Sequence, residues 1–184
     1  MKNTACALAV VLCTSLISIT SPLFTAQIPR KGTMLSGFRL PAPGNSRDRE
    51  YLGLKGDSFD LPDLECRVSI IEILAVYCPL CHQQLPAFNK LFARLNRKDL
   101  SRKVKMFGVA IGATEAEVEF LRSDASFEYP VVQDEQFTIH KMLGEPKTPF
   151  TMVVTAERNV IYAHQGVIDD IDTLYNTIVQ AVGE

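Results

Sequence analysis

An apolar run that ends in a pair of cysteines constrains this chain more than any other feature. Residues 70–77 are rich in β-branched and other apolar side chains, as in a strand that is buried on both faces. Cys78 and Cys81 follow at once, and apolar residues then recur at helical spacing. The pattern predicts a central strand that passes directly into a helix, with Cys78 at the start of that helix.

A cysteine at the start of a helix is suited to thiol–disulfide chemistry. The unpaired N–H groups and the positive end of the helix dipole stabilise a thiolate, which is the nucleophile in disulfide exchange. Cys78 therefore has the position of the nucleophile. Cys81 lies one turn later, where we expect it to act as the resolving thiol that breaks a mixed disulfide.

The rest of the chain alternates short apolar runs with helical patterns. Thr114 followed by Glu117 is a capping-box signature for a helix to about Ser123, and Asp169 or Asp170 caps a final amphipathic helix. The alternation predicts an α/β domain with a central mixed β-sheet flanked by helices. The other expected elements are an N-terminal β-hairpin over 51–61, strands over 68–77, 104–111 and 129–132, a short helix over 135–143, and a hairpin of strands 150–155 and 160–164.

The N-terminus has the pattern of an export signal. A positive n-region at residues 1–3 precedes an apolar stretch over 5–19. Because no clean cleavage site follows, we expect residues 1–26 to be either a signal peptide or a retained N-terminal membrane anchor. Residues 27–50 are rich in Pro, Gly and Arg and are expected to be a linker, and 51–184 the folded domain. The expected location is extracytoplasmic, in the periplasm, either soluble or anchored to the inner membrane.

The charge and the cysteine count limit the classes of partner. The formal net charge is −2 and the basic residues are scattered, so the chain lacks the electrostatic footprint of a nucleic-acid-binding protein. Expected partners are proteins or small thiols. Beyond residue 26 the cysteines are Cys66, Cys78 and Cys81, which is not a disulfide scaffold. Cys66 is expected to be a small buried hydrophobic residue.

Two alternatives concern a bound group at the cysteine pair. A structural zinc site would need Cys66, His140 or His164 as further ligands, whereas zinc sites commonly use a second closely spaced ligand pair. Cys78 to His82 also matches the c-type haem attachment pattern. The buried strand upstream and Pro86 within the predicted helix favour a redox fold over both.

Glu72 interrupts the otherwise apolar strand. Burial favours the neutral form of a carboxylic acid, so we expect the pKa of Glu72 to be raised toward neutrality. A group with such a pKa is able to exchange a proton with Cys81, and we hypothesise that Glu72 is a general acid/base. The alternative is a carboxylate that a neighbouring strand or solvent satisfies.

Four features beyond the cysteine pair carry a resemblance to a known family. They are Glu72 six residues before the first cysteine, Pro86 five residues after the second, the dipeptide Thr148-Pro149, and a βα insertion between them. With these features the chain, over about residues 51–182, resembles the thioredoxin superfamily. Within that superfamily it resembles the exported TlpA/ResA-like thiol–disulfide oxidoreductases.

The resemblance implies a thioredoxin-like fold with an inserted βα unit and a reaction that needs no cofactor. It implies that Pro149 follows a cis peptide bond beside the cysteines. The residues that would contact a partner are Tyr77, Pro79, Leu80, Thr148 and Pro149. The implied role is to keep the cysteines of exported proteins reduced, for instance in apocytochrome maturation, with electrons from a membrane thiol–disulfide carrier.

Departures from the family pattern leave other functions open. Tyr77 stands where these relatives usually have Trp, and Gln84 stands where several carry Glu. Ile71 and Ala75 replace the upstream residues of the peroxiredoxin motif, which makes peroxide reduction a weaker alternative. A disulfide oxidant, a non-catalytic binding module with a thioredoxin fold and a haem carrier are the remaining alternatives.

Overall fold

The computed structural model describes residues 26–97, 100–123 and 125–183. The predicted signal peptide or anchor therefore lies outside the described residues, apart from Ala26. Within the described ranges, no helix combines the length and the apolar character needed to cross a bilayer.

The fold is a mixed five-stranded sheet with helices around it. A short antiparallel pair, β1 and β2, precedes the sheet, whose strand order is β5-β4-β3-β6-β7. The strands are β1 Leu40–Pro41, β2 Ser58–Phe59, β3 Val68–Leu74, β4 Val104–Ile111, β5 Val131–Asp134, β6 Phe150–Thr155 and β7 Val160–Gln165. The helices are α1 Ser46–Leu52, α2 Pro79–Leu95, α3 Leu100–Lys103, α4 Glu115–Ser123, α5 Thr138–Met142 and α6 Ile171–Gly183, with a 3₁₀ turn at Leu61–Leu64. The predicted α/β fold with a mixed central sheet is confirmed.

β3 is the central strand, as its apolar sequence predicted. It pairs in parallel with β4 and antiparallel with β6, and all of its residues are buried. On one face of the sheet, α2, α4 and α6 pack over side chains such as Val68, Ile70 and Leu74. The opposite face, which includes Ile71 and Ile73, is covered largely by N-terminal residues and α5.

The small N-terminal antiparallel pair exists, but the predicted boundaries of its first strand were wrong. Tyr51 lies in α1 instead of in a strand, and β2 pairs with the earlier strand β1. The side chain of Asn45 caps the start of α1 by accepting the backbone N–H of Asp48 at 2.9 Å. Gly53, with a φ of 77°, ends the helix in the left-handed conformation.

Much of the range 27–50, which we expected to be a linker, packs against the domain. Leu35, Phe38 and Leu40 are buried in the core on the second face of the sheet. The backbone N–H of Gly32 also donates to the carbonyl of Val160 at 2.8 Å. The Pro, Gly and Arg content of this range conceals irregularly spaced apolar residues that cover the sheet, so the folded part extends well before residue 51.

Candidate active site

Cys78 lies at the junction of the central strand and helix α2. The backbone N–H of Cys78 donates to the carbonyl of Ala75 at 3.1 Å, which closes the turn after β3. Pro79 is the first helical residue, where its fixed φ suits a helix start and its missing N–H costs no hydrogen bond. Cys78 is therefore the N-cap residue, and its Sγ accepts the backbone N–H of Cys81 at 3.3 Å.

Several donors stabilise the thiolate of Cys78. Partial burial acts to raise its pKa, but hydrogen bonds from the Cys81 thiol, the Thr148 side chain and the backbone N–H groups of Cys81 and Leu80 outweigh burial and lower it. Thr148 precedes Pro149, and the peptide bond between them is cis, as the resemblance implied. The proline loop and the start of α2 thus meet at this sulfur atom.

Cys81 has the opposite environment. It is 1% exposed, and burial raises the pKa of its thiol. The hydrogen bond to Cys78 and the negative charges of Cys78 and Glu72 raise it further. The site therefore contains one half-buried thiol that ionises readily and one buried thiol that keeps its proton.

Glu72 is buried, as predicted, and it lies on the sheet face that carries the cysteine helix. Its Oε1 accepts the side-chain N–H of Gln84 at 2.8 Å, and its Oε2 accepts the hydroxyl of Tyr129. Burial raises the pKa of Glu72 to about 7, although both hydrogen bonds act to lower it. A carboxyl group with this pKa is able to accept or release a proton near neutral pH.

Two members of this polar cluster were not predicted as site residues. In the sequence, Gln84 stands out only as a departure from the family pattern, although a polar residue among the apolar positions of a helix indicates a buried polar contact. Tyr129 gives no local signal, because it lies 57 residues from Glu72 in the sequence. Burial and the neighbouring Glu72 raise the pKa of Tyr129 well above its ordinary value.

The surface beside Cys78 is apolar and accessible. Tyr77 is 78% exposed and Leu80 is 47% exposed, so both side chains that flank the cysteine face solvent. The hydroxyl of Tyr77 donates to Oε1 of Glu117 at 3.4 Å, which links this surface to helix α4. The predicted partner-contact residues are therefore grouped around Cys78: Tyr77 in the turn before α2, Pro79 and Leu80 at the start of α2, and Thr148 and Pro149 in the proline loop.

The side chains suggested as further metal or haem ligands have other contacts. The Nε2 atoms of His140 and His164 lie 3.0 and 3.1 Å from the carbonyls of Pro146 and Val167, respectively. Cys66 Sγ lies 3.4 Å from Ser69 Oγ, and Nε2 of His82 lies 2.8 Å from the carbonyl of Val76. In the part of the chain that the structure describes, no three His, Cys, Asp or Glu side chains are grouped to hold a metal ion.

The fold and the site together define the class. A mixed sheet, a Cys-x-x-Cys pair at the start of a helix and a cis proline beside it are the features of a thioredoxin-like protein. The chain belongs to the Redoxin family, whose model matches residues 37–178.

Known proteins of similar sequence and structure agree with this assignment. The thiol-disulfide oxidoreductase ResA of Halalkalibacterium halodurans is 23% identical over 115 residues, and the match covers 61% of this chain and 62% of ResA. A Chlorobium tepidum structure, proposed to be a thiol:disulfide interchange protein DsbE, is 22% identical with a TM-score of 0.64 and covers 83% of this chain and 98% of its own. A secreted disulfide oxidoreductase of Mycobacterium tuberculosis, homologous to E. coli DsbE, is 15% identical with a TM-score of 0.59. That match covers 78% of this chain and 95% of the M. tuberculosis chain. At these identities the two structures establish the fold.

Proposed function

We propose that this protein is an extracytoplasmic thiol–disulfide oxidoreductase that reduces disulfides of exported proteins through Cys78 and Cys81. The observation that carries the proposal is the contrast between the two thiols. Hydrogen bonds stabilise the thiolate of half-buried Cys78, and burial keeps Cys81 protonated. This is the arrangement that an attacking thiolate and a reserve resolving thiol require.

The reaction begins at Cys78. Its thiolate attacks one sulfur of a partner disulfide, the partner S–S bond breaks, and the released partner sulfur takes a proton. Cys81 then loses its proton and attacks Sγ of Cys78. The second partner sulfur leaves, so two electrons pass to the partner and a Cys78–Cys81 disulfide remains. A membrane thiol–disulfide carrier would return the pair to the dithiol form.

Glu72 is the proton carrier in this proposal. Cys81 must become a thiolate to resolve the mixed disulfide, yet its pKa is raised, so a nearby base is needed. Glu72 is buried in the same cluster, its charge acts on Cys81, and its pKa is near neutrality. It accepts the proton of Cys81 in the resolving step.

Partner binding would use the surface around Cys78. Tyr77 and Leu80 supply exposed apolar contacts, and Pro79, Thr148 and Pro149 shape the groove between them. An extended partner segment would pair with the backbone at Thr148, a form of strand addition that reads little sequence. We therefore expect a broad range of protein substrates.

The proposed location is supported by the export-like pattern of residues 1–26 and by the secreted M. tuberculosis relative. We propose that these residues are a signal peptide or a membrane anchor and that no nucleic acid is bound. A membrane-impermeant maleimide applied to intact cells that express the full chain should label Cys78. Labelling only after the cells are lysed would contradict export.

A redox titration tests the function directly. The protein is equilibrated in graded thiol–disulfide buffers, free thiols are alkylated, and the Cys78–Cys81 state is read by intact mass, with Cys66→Ser as the control for the third thiol. We expect a potential near that of thioredoxin, about −270 mV. A pair that never changes state would contradict the oxidoreductase function and favour a binding module.

A disulfide oxidant is the second candidate function. The lowered pKa of Cys78 favours it, because a stable thiolate stabilises the reduced form and makes the disulfide form more oxidising. In the same titration, a potential approaching about −120 mV would assign the protein to oxidants of exported proteins.

A further inference from the structure

We propose that Gln84 and Tyr129 are positioning residues that determine which oxygen of Glu72 carries the proton, and that this oxygen is Oε2. The inference deepens the proposed function and rests on it, because it concerns the proton carrier of the same reaction. It follows from which atoms of the cluster are able to donate and which are able to accept.

The orientation of the Gln84 amide is fixed by the backbone. The N–H of Ile168 donates to Oε1 of Gln84 at 2.9 Å, and a backbone N–H can only donate. The amide oxygen must therefore face Ile168, and the NH₂ group faces Glu72. Nε2 of Gln84 lies 2.8 Å from Oε1 of Glu72. A protonated carboxyl oxygen is a poorer acceptor than a carbonyl oxygen, so this fixed donor favours Oε1 as the oxygen that stays unprotonated.

Tyr129 offers the other oxygen a partner of a different kind. A phenol hydroxyl both donates and accepts. It donates to Oε2 when Glu72 is ionised. When Oε2 carries the proton, the new O–H is able to donate to the phenol oxygen, which accepts after its own hydrogen has turned away. Oε2 is therefore the oxygen at which a proton is accommodated.

The sheet leaves room for the tyrosine beside the carboxyl group. Gly108 is the partner of Glu72 in the β3–β4 register. A Cβ atom at Gly108 would lie 2.8 Å from Cδ2 of Leu74 and 3.5 Å from Cε2 of Tyr129. The backbone of β4 at Gly108 is thus closely packed against Leu74, and the ring of Tyr129 lies at ordinary contact distance beside it.

The other groups around Glu72 are few, and they define its titration. Cys81 on α2 faces it as a titratable group, and the Cys81 charge also acts on Tyr129. On β6, Thr151 is the register partner of Glu72. Its hydroxyl is fully buried, and within the described residues it has no hydrogen-bond partner. Cys81 is thus the charged group that acts on this cluster from α2, and the two donors, Gln84 and Tyr129, dominate the stabilisation of the ionised carboxylate.

The test is a direct titration of Glu72 in the reduced full chain by carbon NMR of its carboxyl group. Tyr129→Phe removes one donor to the ionised form and keeps the ring, so the midpoint should rise by about one to two pH units. Tyr175→Phe is the matched control, because this tyrosine lies on α6 against Arg94, and it should leave the midpoint unchanged. An unchanged midpoint in folded Tyr129→Phe would overturn the proposal.

A second measurement needs no variant of the cluster. In the unsubstituted protein, the Cζ resonance of Tyr129 should shift with the same midpoint as Glu72, because the hydroxyl exchanges its donor role for an acceptor role. The Cζ resonance of Tyr175 should not follow that midpoint. If the Tyr129 resonance does not respond as Glu72 titrates, the inference is wrong even if Tyr129→Phe fails to fold.

The proposed function is tested separately by turnover. With a protein disulfide substrate, Tyr129→Phe should shift the pH profile to higher pH by the same amount as its titration. If the unsubstituted protein shows no turnover but the titrations behave as expected, the protein is not an oxidoreductase, and the proton is still carried by Oε2. If turnover is normal but Tyr129→Phe shifts neither the Glu72 titration nor the pH profile, the protein is an oxidoreductase, and the inference about Oε2 is wrong.

Discussion

The backbone N–H of Cys81 donates to Sγ of Cys78 at 3.3 Å, so the second cysteine helps to hold the charge of the first. The same helical turn that supplies this donor also takes the side chain of Cys81 into the core. One local structure thus lowers the pKa of one thiol and raises that of the other. Thiols so different should be distinguishable by simple chemistry.

We predict that iodoacetamide modifies Cys78 well before Cys81. The thiolate is the reactive form, so the rate at Cys78 should reach half its maximum at a pH below that of an ordinary thiol, and Cys81 should react only after unfolding. Mass spectrometry of alkylated peptides measures both rates. Equal reactivity of the two thiols would contradict the assignment.

The roles of the two cysteines also predict different outcomes with a substrate. Cys81→Ser should accumulate a mixed disulfide with the substrate, and Cys78→Ser should not.

Replacing Thr148 by Val should raise the pKa of Cys78. The Thr148 side chain contributes a hydrogen bond that stabilises the thiolate, and valine keeps the branched shape without the hydroxyl. The alkylation profile of Cys78 should therefore move to higher pH. Thr177→Val is the control, since that hydroxyl bonds to the carbonyl of Thr173 on α6. A profile that is identical in both variants would remove Thr148 from the site.

Glu72→Gln should slow release of the mixed disulfide and at the same time stabilise the protein at alkaline pH. The pKa of Glu72 is about 7 in the folded chain and 4.5 in the unfolded chain. Folding is therefore favoured while the group is protonated, and this stability is lost as the pH rises from about 4.5 to about 7. A rise from 4.5 to about 7 corresponds to about 3 kcal/mol at about 1.36 kcal/mol per pH unit. Urea unfolding at pH 5 and pH 8.5 measures the effect.

Glu72→Gln is therefore expected to raise the free energy of unfolding by a large amount at pH 8.5 and by a small amount at pH 5. An equal difference at both pH values would show that Glu72 does not titrate as described. Unchanged turnover with a protein substrate would remove its role as proton carrier.

Gly108→Ala should destabilise the protein by about 1–3 kcal/mol, because the new Cβ would overpack the core against Leu74. Gly56→Ala is the matched control, since a Cβ there meets only the carbonyl oxygen of Ser58 at 3.7 Å. Urea unfolding compares the two variants. If Gly108→Ala is as stable as Gly56→Ala, the backbone of β4 is not tightly packed against Leu74.

The parts of the site that depend on local sequence were predictable. The strand that leads into Cys78, the helix start at Pro79 and the burial of Glu72 all follow from patterns within about twenty residues. The cis bond before Pro149 was implied by the resemblance to the family. The strand, the helix start and the buried carboxyl group are present because short-range geometry and an apolar central strand fix them, and the cis bond is present as the resemblance implied.

The hydrogen bonds that define the state of Glu72 were not predictable in this way. Tyr129 reaches the carboxyl group because β4 and β5, which follows Tyr129, pair in the observed register beside β3. Residues 51–54 were also misassigned as a strand, because apolar and polar residues alternate there before a turn signal, whereas Gly53 in fact ends a helix. Both cases depend on tertiary packing that a single sequence does not encode in a local pattern.

The N-terminal cover of the sheet has a consequence for solubility. Leu40 and Phe59 pack over Ile71, Phe107 and Met152 on the second face. A chain shortened to begin at residue 51 would lose Leu40 and open this apolar surface to water, where such patches promote self-association. The segment that looks most dispensable in the sequence is therefore expected to keep the domain from self-associating.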